Sequence, residues 1–148
     1  SGQLKVAPEH FDKKILGLMR KGENADFSTF ARRFYASCER AGKKLFLVPY
    51  LMTAFPGSDQ AADQILAKVI NELHLAHEQL QEFTPTPGSM GTAMFYTGLD
   101  QHGNKIRVAK TQTERMQGRN QIQRSTGTNN KSEKRDARRP SHSQKKRR

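Results

Sequence analysis

One cysteine, no tryptophan and few aromatic residues set the first limits on this 148-residue chain. A lone thiol, Cys38, excludes an internal disulfide and any cysteine-rich metal site. No apolar run approaches the roughly 18 residues that a bilayer-spanning helix needs. No stretch has the basic, apolar and small-residue regions of a signal peptide, and Ser1-Gly2 reads as a cloning scar. A P-loop, a GxGxxG motif and a Ser-His-Asp arrangement are all missing. So are repeats at solenoid periods. These absences point to a reducing, cytoplasmic setting with no membrane partner.

Acidic residues are scarce only in the last third. Residues 1–103 hold 11 Lys/Arg and 11 Asp/Glu, whereas residues 104–148 hold 15 and 3, so the whole formal charge of +12 lies there. That third has little to bury beyond Ile106, Val108, Met116 and Ile122. Low hydrophobicity with high net charge does not offset the entropy of ordering, so the reading is a disordered basic tail.

What is present is a sequence of strand and helix signals. The run from Lys43 to Asp59, KKLFLVPYLMTAFPGSD, is apolar until a Phe-Pro-Gly turn opens a helix. Its continuous apolar character predicts a strand over 44–52, covered on both faces as in a parallel α/β sheet. Residues 3–8 read as a first strand, and the polar stretch 78–84 as a weaker third. Phe11, Ile15, Leu16 and Met19 form one helical stripe, ending at Arg20-Lys21-Gly22. Phe27, Phe30, Ala31, Phe34, Cys38 and Ala41 form a second, with Asp26 as cap and Gly42 as stop. Ala62, Ile65, Leu66, Val69, Ile70 and Leu73 form a third, with Ser58 as cap. Residues 89–98 fit a helical turn, a short strand or an ordered loop.

The order is consecutive βαβ units, each predicted strand ending in a proline-bearing loop: APEH, TAFPGSD and TPTPG. Ligands in such sheets sit at the carboxyl ends of strands. Glu9 there suits a ribose hydroxyl or an amino group, although spacing alone favours an exposed loop acid capping the next helix. The Phe55-Pro56-Gly57-Ser58 turn offers backbone N–H groups to an anion, or is an ordinary βα turn. His74 and His77 share a helical face without a third ligand, which favours two solvated imidazoles over a metal site. Cys38 lies on an apolar stripe and reads as a buried, inert thiol. The basic segment 104–148 is either a weak, sequence-independent nucleic-acid binder or a solvated terminus.

LKVAPEH at 4–10, ILGLMRKG at 15–22, LVPYLMTAFPGSD at 47–59 and FTPTPGSMGTAMFYTG at 83–98 together resemble the carboxyl-terminal part of the radical SAM domain in YgiQ-type proteins. Radical SAM methylthiotransferases show a looser version of the same order. Residues 106–123 resemble the short extension beyond that barrel. The resemblance implies an incomplete (β/α) barrel over residues 3–98, about three parallel strands with covering helices. It also implies a weakly ordered extension over 99–123; the remainder, 124–148, is the basic tail that composition reads as disordered.

By the same resemblance, Glu9 matches a polar ligand to the S-adenosylmethionine ribose or amino group. Met52, Thr53 and Ala54 match the adenine side, and Phe83, Thr84 and Pro85 the last adenine-flanking strand. Arg20 matches a group near the methionine carboxylate. The intact family binds S-adenosylmethionine and a [4Fe–4S] cluster held by Cys-x-x-x-Cys-x-x-Cys, a motif this sequence lacks. The resemblance therefore implies an inactive fragment, with neither group bound, whose partner is the amino-terminal half of its own barrel. Its open sheet edge favours self-association. The competing reading is a small α/β module that binds nucleic acid through its tail.

Overall fold

The computed structural model describes residues 2–21, 27–75 and 80–136, with side chains as far as residue 126. Among these the order is β1 (Gln3–Glu9), α1 (Lys13–Leu18), α2 (Phe27–Arg40), β2 (Phe46–Thr53), α3 (Gln60–Glu72), β3 (Leu80–Glu82), α4 (Met90–Thr97) and α5 (Gln112–Asp136). The three strands form one open parallel sheet in the order β1-β2-β3. The α/β reading holds, because each strand returns to the sheet through helices. Parallel neighbours need such crossovers.

β2 is the centre, and its two faces are unequal. Leu47, Pro49, Leu51 and Thr53 are buried, while Val48, Tyr50 and Met52 are half-buried and Phe46 is exposed. The apolar run predicted burial on both faces; helices fully cover only one. There Leu51 and Leu80 join Leu66, Ala67 and Ile70 of α3, Leu75, and Ile122 of α5 in a single cluster. Phe11 and Phe27 flank it, their ring centroids 5.3 Å apart. Pro49 sits in this central strand without breaking it. Among the described residues β3 pairs with Leu51–Thr53 and does not reach Pro49, so no described ladder bond is lost to its missing N–H.

The helices follow their stripes with three differences. α3 is capped by Asp59, whose side chain accepts from the Ala62 N–H at 3.0 Å, and not by Ser58. Ser58 instead closes the preceding turn, donating its N–H to the Phe55 carbonyl at 2.8 Å. Ile65 is exposed, one position off the face that meets the sheet. On α2 only Ala31 and Cys38 are buried, and Phe30 faces outward. Gly42 follows α2 at a φ of 61°, the left-handed conformation expected of a helix stop. Residues 89–98 resolve as helix α4, capped by Ser89 and ended by Gly98. The cap at Asp26, the start of the third strand and His77 lie outside the described residues.

The largest correction concerns residues 104–126, read as disordered. α5 is one helix that runs through the boundary drawn at 123/124. Thr111 and Glu114 form a reciprocal capping box at its start, Glu114 Oε2 accepting the Thr111 N–H and Thr111 Oγ1 accepting the Glu114 N–H. Ile122 is fully buried and Thr126 nearly so. Average composition conceals this, because one well-placed Ile at a helix–helix contact anchors a polar helix. Residues 137–148 lie outside the described residues. No described helix is long and apolar enough to cross a membrane.

Candidate functional site at the carboxyl ends of the strands

The carboxyl ends of the three strands lie side by side. β1 changes register between Val6 and Glu9, and after this irregularity Glu9 pairs with Leu51 of β2. Glu9 has a φ of 65°, and Ala54, immediately after β2, has a φ of 57°. Left-handed backbone at non-glycine residues costs of order 1 kcal/mol each and gathers at functional sites. β2 and β3 are tied where they end. The Phe83 N–H donates to the Thr53 carbonyl at 2.9 Å, and Thr53 Oγ1 donates to the Gln81 carbonyl at 3.3 Å.

Lys21, just after α1, turns back onto this edge. Its Nζ lies 2.7 Å from the Ala7 carbonyl and 3.3 Å from Glu9 Oε1. The ammonium thus satisfies a carbonyl of the irregular strand end and half-neutralises the acid beside it. Next to Glu9, the His10 ring is completely buried. Its Nδ1 accepts the Asp12 N–H at 3.0 Å, so the proton resides on Nε2, which has no partner among the described residues. Burial pushes the His10 pKa down to about 4 against the opposing pull of the Asp12 carboxylate, so the ring is neutral at physiological pH.

Beneath the strand ends lies a second apolar cluster of Ile15, Phe55, Ala62, Phe83 and Met94, with Met52 packed against it. Phe55 and Phe83 meet edge to face at 5.1 Å. Gly91 of α4 lets the helix approach these rings, since a Cβ there would stand 3.0 Å from Phe83 and 3.1 Å from Phe55. Gly57, at a φ of 95°, meets Leu18, and a Cβ there would lie 2.4 Å from Leu18 Cδ1.

The Phe55-Pro56-Gly57-Ser58 turn does not offer its N–H groups to an anion. Gly57 donates to the Arg107 carbonyl at 2.7 Å and Ser58 to Phe55. The Asp59 carboxylate at the α3 cap adds a negative charge at the same place. This is an ordinary βα turn.

Of the eight residues singled out in the sequence, seven lie at or just beyond the three adjacent strand ends: Glu9, Met52, Thr53, Ala54, Phe83, Thr84 and Pro85. They do not all present side chains. Thr53 and Phe83 are buried and internally engaged, Met52 and Pro85 are half-buried, Thr84 is exposed, and Glu9 keeps an accessible carboxylate. Arg20 is turned elsewhere, its Nε donating to Gln101 Oε1 at 2.7 Å in the turn after α4. Sequence reasoning missed Lys21, read only as a helix end, and the buried ring of His10. Cys38 is buried, as expected, and among the described residues no three His, Cys, Asp or Glu side chains gather as a metal would require.

No family model matches the chain. A UPF0313 protein of Clostridium botulinum (strain 657) is 44% identical over 124 residues, which is 83% of this chain and 19% of the relative. A UPF0313 protein of Clostridium perfringens (strain 13) is 46% identical over 100 residues, 68% of this chain and 15% of the relative. The chain is thus similar over most of its length to UPF0313 proteins, and spans about a fifth of the length of the C. botulinum relative.

Proposed function

We propose that this chain forms one side of an S-adenosylmethionine site in a larger radical SAM protein, as the second half of a partial (β/α) barrel. The observation that carries this reading is the alignment of Glu9, Thr53–Ala54 and Phe83–Thr84 at adjacent parallel strand ends, beside the half-buried face of Val48, Tyr50 and Met52. Parallel sheets place their ligands at that end. The match to proteins several times longer supports a partner surface elsewhere in the same polypeptide. Among the described residues β1 is an unpaired edge strand and one sheet face is half-buried, and such a surface would cover both.

The chain's own residues would bind and orient. The Glu9 carboxylate accepts from a ribose hydroxyl or an ammonium, with Lys21 holding it in place. Met52 and the backbone at Ala54 and Thr84–Pro85 line the base side, while the Phe55–Phe83 pair supports them from beneath. Arg20 meets a carboxylate only after releasing Gln101.

A [4Fe–4S] cluster does not fit here, because the chain's one thiol is buried within α2. On this reading the cluster's ligands belong to the rest of the longer protein, and no step involves Cys38. Together the two groups supply hydrogen abstraction by a carbon radical; this chain contributes position, not the reactive metal.

The test is to reconstitute the intact protein with iron and sulfide and assay S-adenosylmethionine cleavage. Formation of 5′-deoxyadenosine, reduced by Glu9→Gln, is expected. A protein that assembles no cluster and yields no deoxyadenosine would overturn the reading.

A second reading rests on the charge of +12 confined to residues 104–148. Ile122 belongs to the core, so removing that whole segment would disrupt the fold. Deleting 137–148 removes six of its cations without touching α5. Salt-dependent RNA binding that weakens on this deletion supports the module; binding that does not depend on salt removes it.

A further inference from the structure

The outer side of β1 changes character along its length. Among the described residues β1 is the outermost strand of the sheet and pairs with β2 alone. The Gly2 carbonyl accepts the Phe46 N–H at 2.9 Å, so Gly2 faces β2. Along a parallel strand, successive residues turn their backbone N–H and C=O to opposite sides. Leu4 and Val6 therefore face β2 as Gly2 does, and Gln3, Lys5 and Ala7 turn theirs outward. Gln3 and Lys5 are exposed, and no described backbone group meets their outward N–H and C=O. The Lys5 side chain, level with Val48 of β2, stands on a face of the sheet and leaves the edge itself clear.

At Ala7 the edge closes. The Ala7 carbonyl accepts from Lys21 Nζ at 2.7 Å, and the same ammonium reaches Glu9 Oε1. Pro8 brings no N–H to β2, and the register with β2 shifts between Val6 and Glu9, which bends the strand. Glu9, the next residue to face outward, has a φ of 65° and is no longer extended. A lysine across the edge and a strand irregularity are both devices that make an edge unfit for pairing. An edge guarded against all pairing would carry them along its length. Here they are confined to the last three residues of β1, and the Gln3–Lys5 part is left fit to pair.

We infer that the Gln3–Lys5 edge takes a neighbouring parallel strand, and that Lys21 is the stop that ends this pairing before Ala7 and leaves Glu9 open to a ligand. The inference rests on the reading of this chain as part of a larger barrel. That reading supplies the occupant, a strand from elsewhere in the same polypeptide, in keeping with relatives several times longer than this chain. The parallel sense continues that of β1, β2 and β3. Past Lys5, such a strand would have to bring an N–H dipole against the Lys21 ammonium to reach the Ala7 carbonyl. It would then meet the left-handed backbone of Glu9, which cannot extend a ladder. A strand that stops at Lys5 leaves the Glu9 carboxylate uncovered at the mouth of the site.

The test is residue-resolved hydrogen exchange by mass spectrometry on the intact longer protein, run beside its S-adenosylmethionine cleavage assay. The Gln3 and Lys5 amides are expected to exchange at least about tenfold more slowly than in the unfolded protein, and the Ala7 amide at close to the unfolded rate. Lys21→Met frees the Ala7 carbonyl, so the strand extends and the Ala7 amide slows by about tenfold. Lys21→Arg keeps the cation and leaves Ala7 fast. A mere loss of stability would not slow Ala7, so the methionine variant separates a stop from a structural tie. Fast exchange at Gln3 and Lys5, protection of Ala7 equal to that of Lys5 in the wild type, or an unchanged Ala7 in Lys21→Met would each overturn the inference. So would protection that grows with protein concentration, as pairing with a second copy requires. Deoxyadenosine formed alongside any of these leaves the cofactor reading standing. The expected exchange pattern without deoxyadenosine keeps the strand stop and removes the cofactor reading.

Discussion

The Lys21 ammonium lies 3.3 Å from Glu9 Oε1 and holds the left-handed end of β1 from a position twelve residues away. Both side chains are partly exposed, so solvent screens the pair and it adds at most about 1 kcal/mol to stability. Lys21→Met is expected to lower stability by about 0.5–1 kcal/mol in a urea titration, and Glu9→Gln by no more. A loss above about 2 kcal/mol for Lys21→Met would mean the Ala7 carbonyl contact dominates.

Ala54 tests the strain at the end of β2. Its φ of 57° is unfavourable for alanine and free for glycine. Ala54→Gly is expected to be neutral or to stabilise by up to about 1 kcal/mol. Ala54→Val, which adds a β-branch to a left-handed backbone, destabilises by about 1–3 kcal/mol. Equal destabilisation by both would show that the site is governed by packing alone.

Two buried groups set opposing pH dependences. Asp63 is raised from 3.8 to about 6, so its contribution is greatest below pH 3.8 and is lost as pH rises through 6. His10 is lowered from 6.5 to about 4, so its contribution is present above pH 6.5 and is lost as pH falls through 4. Between pH 4 and 6 the two slopes, each up to about 1.4 kcal/mol per pH unit, largely cancel. Urea midpoints measured across that range are expected to rise more steeply with pH in Asp63→Asn than in the wild type, and less steeply in His10→Gln. Parallel curves for all three proteins would refute the burial of these groups.

Ile122 tests whether α5 belongs to the core. Its side chain is completely buried among Leu66, Ile70 and Leu80. Ile122→Ala is expected to cost about 2–5 kcal/mol, as large-to-small core changes do, and to release the α5 amides to rapid hydrogen exchange. Exchange already fast in the wild type would contradict a docked helix.

The fold was legible where local pattern decides it. Leu66 and Ile70 share a helical face, Gly42 stops α2, and the run ending at Thr53 is the central strand. Proximity of the strand ends at Glu9, Ala54 and Thr84 also followed, because parallel strands joined by helices align their carboxyl ends. What stayed hidden depends on contacts between distant residues. Lys21 looked like a helix terminator, and Ile122 like an isolated apolar residue in a basic segment. The turn at Gly57 looked open until Arg107 was seen to occupy it.

Sequence alone determined the α/β class, the order of strands and helices and the burial of Cys38, because apolar periodicity and turn residues act within a few positions. Only the tertiary structure decided that one face of the sheet is left half-covered, that Glu9 is held by Lys21, and that the start of the basic segment is a docked helix. Each of these depends on which side chains meet across dozens of residues. The decisive terms there, burial and short-range electrostatics, vary with distances that composition and periodicity do not specify.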